Sequence, residues 1–275
     1  MLELNTTPKD AWHPALYNKS APFVYSDENT KALFELLSAK PGERIVDMGC
    51  GTGELTLRLQ DLVGDKGLIL GVDASQGMLD IAESNGVKYL FCCDIQNLVV
   101  PDKFKSLPGT FDAVFTNATL QWCKQDPRGP LRAAKSLLKS GGRFVGEFPG
   151  YMTGLGTRSA FSEALKRRGM TPLDPWFLPQ PTEYARILES EGFKVEHISL
   201  NPRVSRLPGP MIDFLRAIYR VAFLKDMSDE EAEEILQEVS NSCELEHKDG
   251  MGNWSIMHVT VRFHATSSCE QYCHH

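Results

Sequence analysis

Apolar positions along the first half of the chain switch between two periods. From Asp27 to Ala39, Leu33, Phe34, Leu36 and Leu37 recur at helical spacing, and Pro41-Gly42 ends the run. Arg44 to Met48 reads as a short buried strand leading into glycines. Glu54 to Val63 carries Leu55, Leu59 and Leu62 on one face and stops at Gly64, which predicts a helix. Leu68 to Val72 is a second strand. Ser75 is placed to cap the following helix, whose Met78, Leu79 and Ala82 face inward. Tyr89 to Cys93, Phe111 to Thr116 and Arg143 to Phe148 are three more strands. Between the last two, Leu131 to Leu138 is helical, ended by Gly141-Gly142. Strands alternating with helices predict a parallel, doubly wound α/β sheet, which binds ligands at the carboxyl ends of its strands.

The second half reads differently. Gly150 to Gly156 is glycine-rich, and Pro172 to Pro181 is proline-rich with Trp176 and Phe177. Thr182 to Ser190 predicts a helix, Phe193 to Leu200 a strand, and residues 210–224 and 228–241 two helices. Trp254 to Phe263 alternates, with Met257, Val259, Val261 and Phe263 on one face, so it predicts a half-exposed strand. The expected organisation is an N-terminal lid over 1–26, a ligand-binding core over 27–149, and completion of the sheet over 150–265. Insertions at 150–180 and 203–253 would form a helical cap over the binding edge. Residues 266–275 are polar and read as a disordered tail.

Charge narrows the function. Lys plus Arg number 29 against 36 acids, a net charge of −7. That speaks against a nucleic-acid surface or a polybasic membrane anchor. No apolar run reaches the ~18–20 residues of a membrane-spanning helix, and MLELNTTPKD does not read as a signal peptide. Cysteines are odd in number and form no CxxC pair, which suits reduced thiols in the cytoplasm. A partner is expected to be a small molecule, and the protein a monomer or weak homodimer.

The informative segment is Val46-Asp47-Met48-Gly49-Cys50-Gly51-Thr52-Gly53-Glu54, between a predicted strand and a helix. Glycines let the backbone turn tightly and let a ligand approach. The spacing is G-x-G-x-G after an acid, not the G-x-G-x-x-G of dinucleotide sites. A carboxylate at Asp47 would repel a pyrophosphate, which disfavours a nicotinamide-dependent oxidoreductase. It suits a cationic ligand such as S-adenosylmethionine (SAM), with its ammonium and sulfonium. Asp73 ends the second strand, where a carboxylate can accept ribose hydroxyls. Asp94 ends the third, where it can accept an adenine amino group. Helix capping is the plainer reading of each of these two acids, and core packing that of Met78.

With these residues in place the chain resembles the class I SAM-dependent methyltransferases. The likeness is strongest over GERIVDMGCGTGELT (42–56), GVDASQGMLDIA (71–82), CCDI (92–95), FDAVFTNATLQW (111–122) and LKSGGRFVGEF (138–148). It implies a Rossmann-like seven-stranded sheet whose last strand is antiparallel. It also implies SAM contacts at Asp47, Gly49, Gly51, Asp73, Met78, Asp94, Ile95 and Asn117. WHPALYNKSAPFV (12–24) resembles the N-terminal lid of the same subgroup, with Tyr17 as the contact. NATLQW (117–122) resembles the trans-aconitate methyltransferase-like branch, which includes carboxyl methyltransferases of small acids. In relatives of that kind a Gln and a Trp hold the substrate carboxylate. Trp122 corresponds to the Trp, whereas Ala21-Pro22 stands near the Gln.

The resemblance implies methyl transfer to a small molecule, with carboxyl O-methylation of an organic acid as the preferred chemistry. Gln121 and Trp122 would be neutral donors that position the substrate. Transfer to O, N or S of another metabolite stays open, as does a SAM-fold protein that binds SAM without methylating, such as a cyclase. No general base is assigned; His13 and Glu147 are candidates if the substrate needs one. Arg158, Arg206, Arg216 and Arg220 could reach an anion from the cap, and His197 reads as structural. Cys269, Cys273, His274 and His275 resemble half a zinc site without a second ligand pair, so no metal is expected.

Overall fold

The computed structural model describes residues 12–268. The glycine-loop strand β1 (Arg44–Met48) is buried from Ile45 onward, because helices cover both faces of the sheet around it. Alternate residues serve opposite layers, as the two-residue period of a strand requires. Val46 and Met48 join one core with Leu70, Val72, Val114 and Phe144. Ile45 joins the other with Ile69, Ala113, Phe115 and Val145.

Helix α1 (Pro14–Ser20) precedes α2 (Asp27–Leu37), which is capped by the Ser26 side chain accepting from Asn29 N. After β1 come α3 (Glu54–Val63), β2 (Leu68–Asp73), α4 (Gln76–Ser84), β3 (Leu90–Cys92) and β4 (Phe111–Asn117). Ser75 caps α4 as expected, accepting from Met78 N. Then follow α5 (Gly129–Leu137), β5 (Leu138–Pro149), α6 (Leu155–Arg167), α7 (Pro181–Ser190), β6 (Phe193–Arg206) and β7 (Ser255–Ser267). The seven strands order as β3-β2-β1-β4-β5-β7-β6, with β7 antiparallel to both neighbours. Strand order reverses between β1 and β4, so the crevice at their carboxyl ends is the expected binding place.

Several boundaries differ from the sequence reading. Gly141-Gly142 does not end α5; Leu138 is already extended, and the glycines lie inside β5 where its register against β4 shifts. Strand β6 continues to Arg206, through Pro202, which an edge strand tolerates. The 150–180 insertion contains α6, held by Thr157, Phe161, Ala164 and Leu165. Met257 does not share the burial of Val259, Val261 and Phe263. Strand β5 stops at Pro149 opposite Thr260, so Met257 pairs only with the edge strand and is 50% exposed. Thr266 and Ser267 belong to β7, not to a tail. Residues 1–11 of the expected lid and the Cys269–His275 cluster lie outside the described residues.

A separate apolar cluster joins α6, Trp176, the helical run from Met211 to Phe223 and the helix Asp229–Ser242. Phe23 and Trp122 pack against it from the sheet's binding edge. No described helix is long and apolar enough to cross a membrane.

Candidate active site

Three glycines shape the turn after β1. Gly49, Gly51 and Gly53 have φ of 75°, 55° and 91°. Gly49 N and Cys50 N both donate to Val72 O, at 2.7 and 3.1 Å, which folds the loop back over β2. A Cβ on Gly49 would lie 2.1 Å from Thr119 Oγ1, so no larger residue fits. A Cβ on Gly51 would meet only Tyr25 Oη, at 3.8 Å; this side of the loop faces open space.

That space is a cleft of about 470 Å³. Asp47, Gly49 and Gly51 line it from the loop, and Asp73 and Met78 from β2 and α4. Asp94 and Ile95 line it after β3, Asn117 after β4, and Tyr17 and Trp122 from above. Every expected cofactor contact is thus brought to one cleft, whereas Gln121 lies in a neighbouring chamber. Tyr25, Gln96, Thr119 and Trp12, which the sequence reading did not single out, also line the cleft.

The acids there differ in state. Asp47 is 2% exposed and accepts from Thr56 Oγ1 at 2.7 Å. Burial pushes its carboxyl up to about 7, and the Asp73 charge adds to the shift. Asp73 binds the loop itself: Oδ2 accepts from Gly51 N and Oδ1 from Ser75 N, both at 2.9 Å. Asp94 is exposed and caps the 3₁₀ turn Ile95–Asn97, accepting from Gln96 N at 2.9 Å. Capping and ligand binding are compatible, since a carboxylate has about four lone-pair sites. Asn117 donates to Val24 O at 3.1 Å and ties the N-terminal segment to β4.

Helix α1 closes one side. Asn18 Nδ2 donates to Thr52 Oγ1 at 3.0 Å and to Glu54 Oε1 at 2.9 Å. The Tyr17 and Tyr25 hydroxyls bond to each other, and burial pushes the Tyr17 phenol up to about 12. These residues fit SAM as a cofactor. A buried carboxylate there costs free energy until a cation adjoins it, and no phosphate-binding cation lies on the glycine loop.

Tyr17, Val24, Ala118 and Trp122 line both the cleft and a chamber of about 100 Å³ beneath the cap. Its walls are chiefly apolar, with Phe23, Trp176, Phe214, Ile218 and Ile256. Trp122 meets Trp12 edge-on at 5.0 Å and Trp176 at 5.8 Å, so an aromatic row runs from cleft to chamber. Ala118, at the junction, has a φ of 53°, a strained value for alanine. Gln121 is not a free donor: its Nε2 already donates to Ala118 O at 2.7 Å, and its free atom is the acceptor Oε1. His258, missed because it falls on the strand face opposite Val259, lines the chamber stacked on Phe23 at 5.4 Å. Burial, then the Arg203 charge, push its imidazole down to about 4.

Neither candidate base belongs here. His13 is exposed and lines neither cavity. Glu147 is 3% exposed and held by Arg203 and Arg262, the latter at 2.5 Å, and by Thr260 Oγ1 at 2.7 Å. The four cap arginines are also engaged elsewhere. Arg158 pairs with Asp174, Arg206 with Asn253, Arg216 with Asp213 and Glu233, and Arg220 with Asp229. His197 is exposed and bonds Ser199.

A sequence profile of a methyltransferase domain matches residues 46–146. An uncharacterised methyltransferase of Schizosaccharomyces pombe is 28% identical over 199 residues, covering 70% of this chain and 74% of that protein. A trans-aconitate 2-methyltransferase of Mycolicibacterium gilvum is 35% identical over 143 residues, 50% of each chain. Among solved structures, phosphoethanolamine N-methyltransferase 2 of Haemonchus contortus, bound to phosphomonomethylethanolamine and S-adenosylhomocysteine, shares the fold. Its TM-score is 0.55 at 16% identity, over 93% of this chain and 57% of that one.

Proposed function

Because this chain is a class I SAM-dependent methyltransferase of the branch that includes the trans-aconitate methyltransferases, we propose that it methylates the carboxylate of a small organic acid. When bound, SAM supplies a methyl group already activated on a sulfonium, transferred in line to the substrate nucleophile as S-adenosylhomocysteine leaves. What remains for the protein is to align the acceptor and exclude water. The glycine loop, Asp47 and Asp73 would hold the cofactor, with Asp94 and Ile95 at its adenine end. Trp122 and Ala118, shared by cleft and chamber, would border the reacting atoms.

The observation that carries the reading is that no base among the described residues is poised around the chamber: His247 is engaged through Nδ1 with Ser255 O at 2.9 Å and through Nε2 with Thr157 Oγ1 at 3.5 Å. His258 at about 4 lies about six units below a phenol's ordinary pKa near 10, too weak to assist its ionisation. A carboxylate is ionised at neutral pH without help. An indole N–H from Trp122 can orient it without an ion pair, which would dull it as a nucleophile. The cap helices and α1 would then serve to enclose that junction.

The test is release of S-adenosylhomocysteine across a panel of acids, phenols, amines and thiols. Turnover confined to acids supports the proposal, and turnover confined to the other classes overturns it. With an active acid in hand, Trp122→Phe is expected to lose most activity and keep SAM affinity.

A further inference from the structure

Six buried side-chain polar atoms among the described residues have no hydrogen-bond partner, and three belong to residues lining the chamber. They are Gln121 Oε1, Trp176 Nε1 and His258 Nδ1. Gln121 and Trp176 are each 6% exposed, so water does not relieve them. A buried polar group left unpaired is costly, and three sharing one cavity point to a ligand.

The chemistry of the set is defined. Gln121 Nε2 sits 2.7 Å from Ala118 O; turning the amide over would set two carbonyl oxygens against each other. Its backbone is fixed too, because Phe177 N donates to Gln121 O at 2.8 Å. Gln121 therefore presents an acceptor, and the Trp176 indole can only donate. His258 Nδ1 takes either role according to tautomer. None of the described residues lining the chamber is Lys, Arg, Asp or Glu, His247 is bonded through both ring nitrogens to Ser255 O and Thr157 Oγ1, and burial disfavours a charge on His258, so a charge buried there finds no ready counter-ion. These three groups line the chamber alone, whereas Trp122 and Ala118 border the cleft as well.

We propose that the substrate carries, besides the group that is methylated, a second and uncharged polar group that both donates and accepts, a hydroxyl or a carboxamide, read by Gln121 and Trp176. The proposal rests on the chamber being the acceptor site, as argued above. It favours a hydroxy-monoacid or amide-monoacid and disfavours a polycarboxylate, whose second charge would be desolvated. Size limits the occupant: at about 100 Å³ the chamber alone is smaller than the ~150 Å³ cavity that encloses a benzene ring, so a ring enters only by extending into the cleft through Tyr17, Val24, Ala118 and Trp122, which line both.

The probes are phenol and toluene, bound to the full chain with S-adenosylhomocysteine present and followed by ligand-observed NMR. Toluene gains more by leaving water, so a purely apolar chamber ranks it first. We expect phenol to bind about tenfold tighter than toluene, the order set by leaving a buried polar group unpaired. Gln121→Leu is expected to abolish or reverse that order. Trp176→Phe, which removes the N–H together with part of the ring, is expected to reduce it, with toluene binding reporting the change in volume, and guards against misfolding of the first variant. Toluene binding as tightly as phenol, phenol failing to bind, or a preference that survives both variants overturns the proposal. A parallel assay compares methyl transfer to 3-hydroxybenzoate and benzoate. If no acid is methylated while phenol keeps its preference, the carboxyl reading fails and this inference stands. If acids react but phenol shows no preference, the reverse holds.

Discussion

SAM binding is expected to depend on pH through Asp47. Its carboxyl is buried beneath the glycine loop, bonded only to Thr56 in the described contacts, with the Asp73 charge near it. Its pKa is pushed up to about 7 from an ordinary value near 3.8. Without ligand, holding it ionised above pH 7 costs about 4 kcal/mol, a cost relieved as pH falls from 7 toward 4. A bound cation favours the ionised form, so SAM binding releases a proton when pH is near or below 7. If only the ionised form binds, apparent affinity scales as 1/(1 + 10^(7−pH)). That factor is about 1/33 at pH 5.5 and about 1/2 at pH 7.0, so the Kd of SAM is expected to fall about sixteenfold across this interval. The α-ammonium of SAM, with an ordinary pKa near 8, stays charged throughout. The assay is calorimetric titration at several pH values, repeated in buffers of different ionisation enthalpy to count released protons, about half a proton at pH 7. Asp47→Asn removes the titrating group and is expected to bind SAM more weakly, with no slope. An affinity that is flat with pH in the parent, or a slope that survives in Asp47→Asn, would show that Asp47 is not the group that titrates on binding.

Further tests separate fold from site. Gly49→Ala is expected to destabilise the fold by about 3 kcal/mol or more in denaturant titration, because its Cβ collides with Thr119. Gly51→Ala, which meets open space, costs about 1 kcal/mol in stability yet abolishes SAM binding by filling the cleft. Glu147→Gln strands Arg203 and Arg262 and is expected to cost about 3–5 kcal/mol while leaving SAM affinity intact. Lost turnover with unchanged stability would instead assign Glu147 a chemical role. Asn18→Ala is expected to weaken the protection that S-adenosylhomocysteine gives residues near α1 against limited proteolysis. Equal cutting of the parent with and without ligand would contradict a closing N-terminal segment.

What could be read from sequence was local. The glycine loop and the acids at the ends of β1, β2 and just past β3 are positions within a few residues of their strands, so the motif carried their placement. Helix α6 was not placed from the sequence, which read 150–180 only as an insertion of the cap, although Thr157, Phe161, Ala164 and Leu165 recur at helical spacing. Orientation was not legible. Gln121 shares its motif with Trp122, yet which end of its amide is free depends on the Ala118 carbonyl, in a backbone conformation no pattern announces. His258 is set on the chamber by the path of β7 past the end of β5. Glu147 was a plausible base until Arg262 and Arg203, far away in sequence, were found on its carboxylate.

The proposed reaction is the transfer of a methyl group from SAM to a carboxylate at the junction beside Trp122. The most direct measurement uses SAM labelled with ¹³C in the methyl group, incubated with the protein and a mixture of small hydroxy-acids, phenols and amines. Carbon NMR of the products then reports the atom that received the label. The expected product is a labelled methyl ester. A labelled aryl ether or N-methyl product in place of the ester would contradict carboxyl transfer.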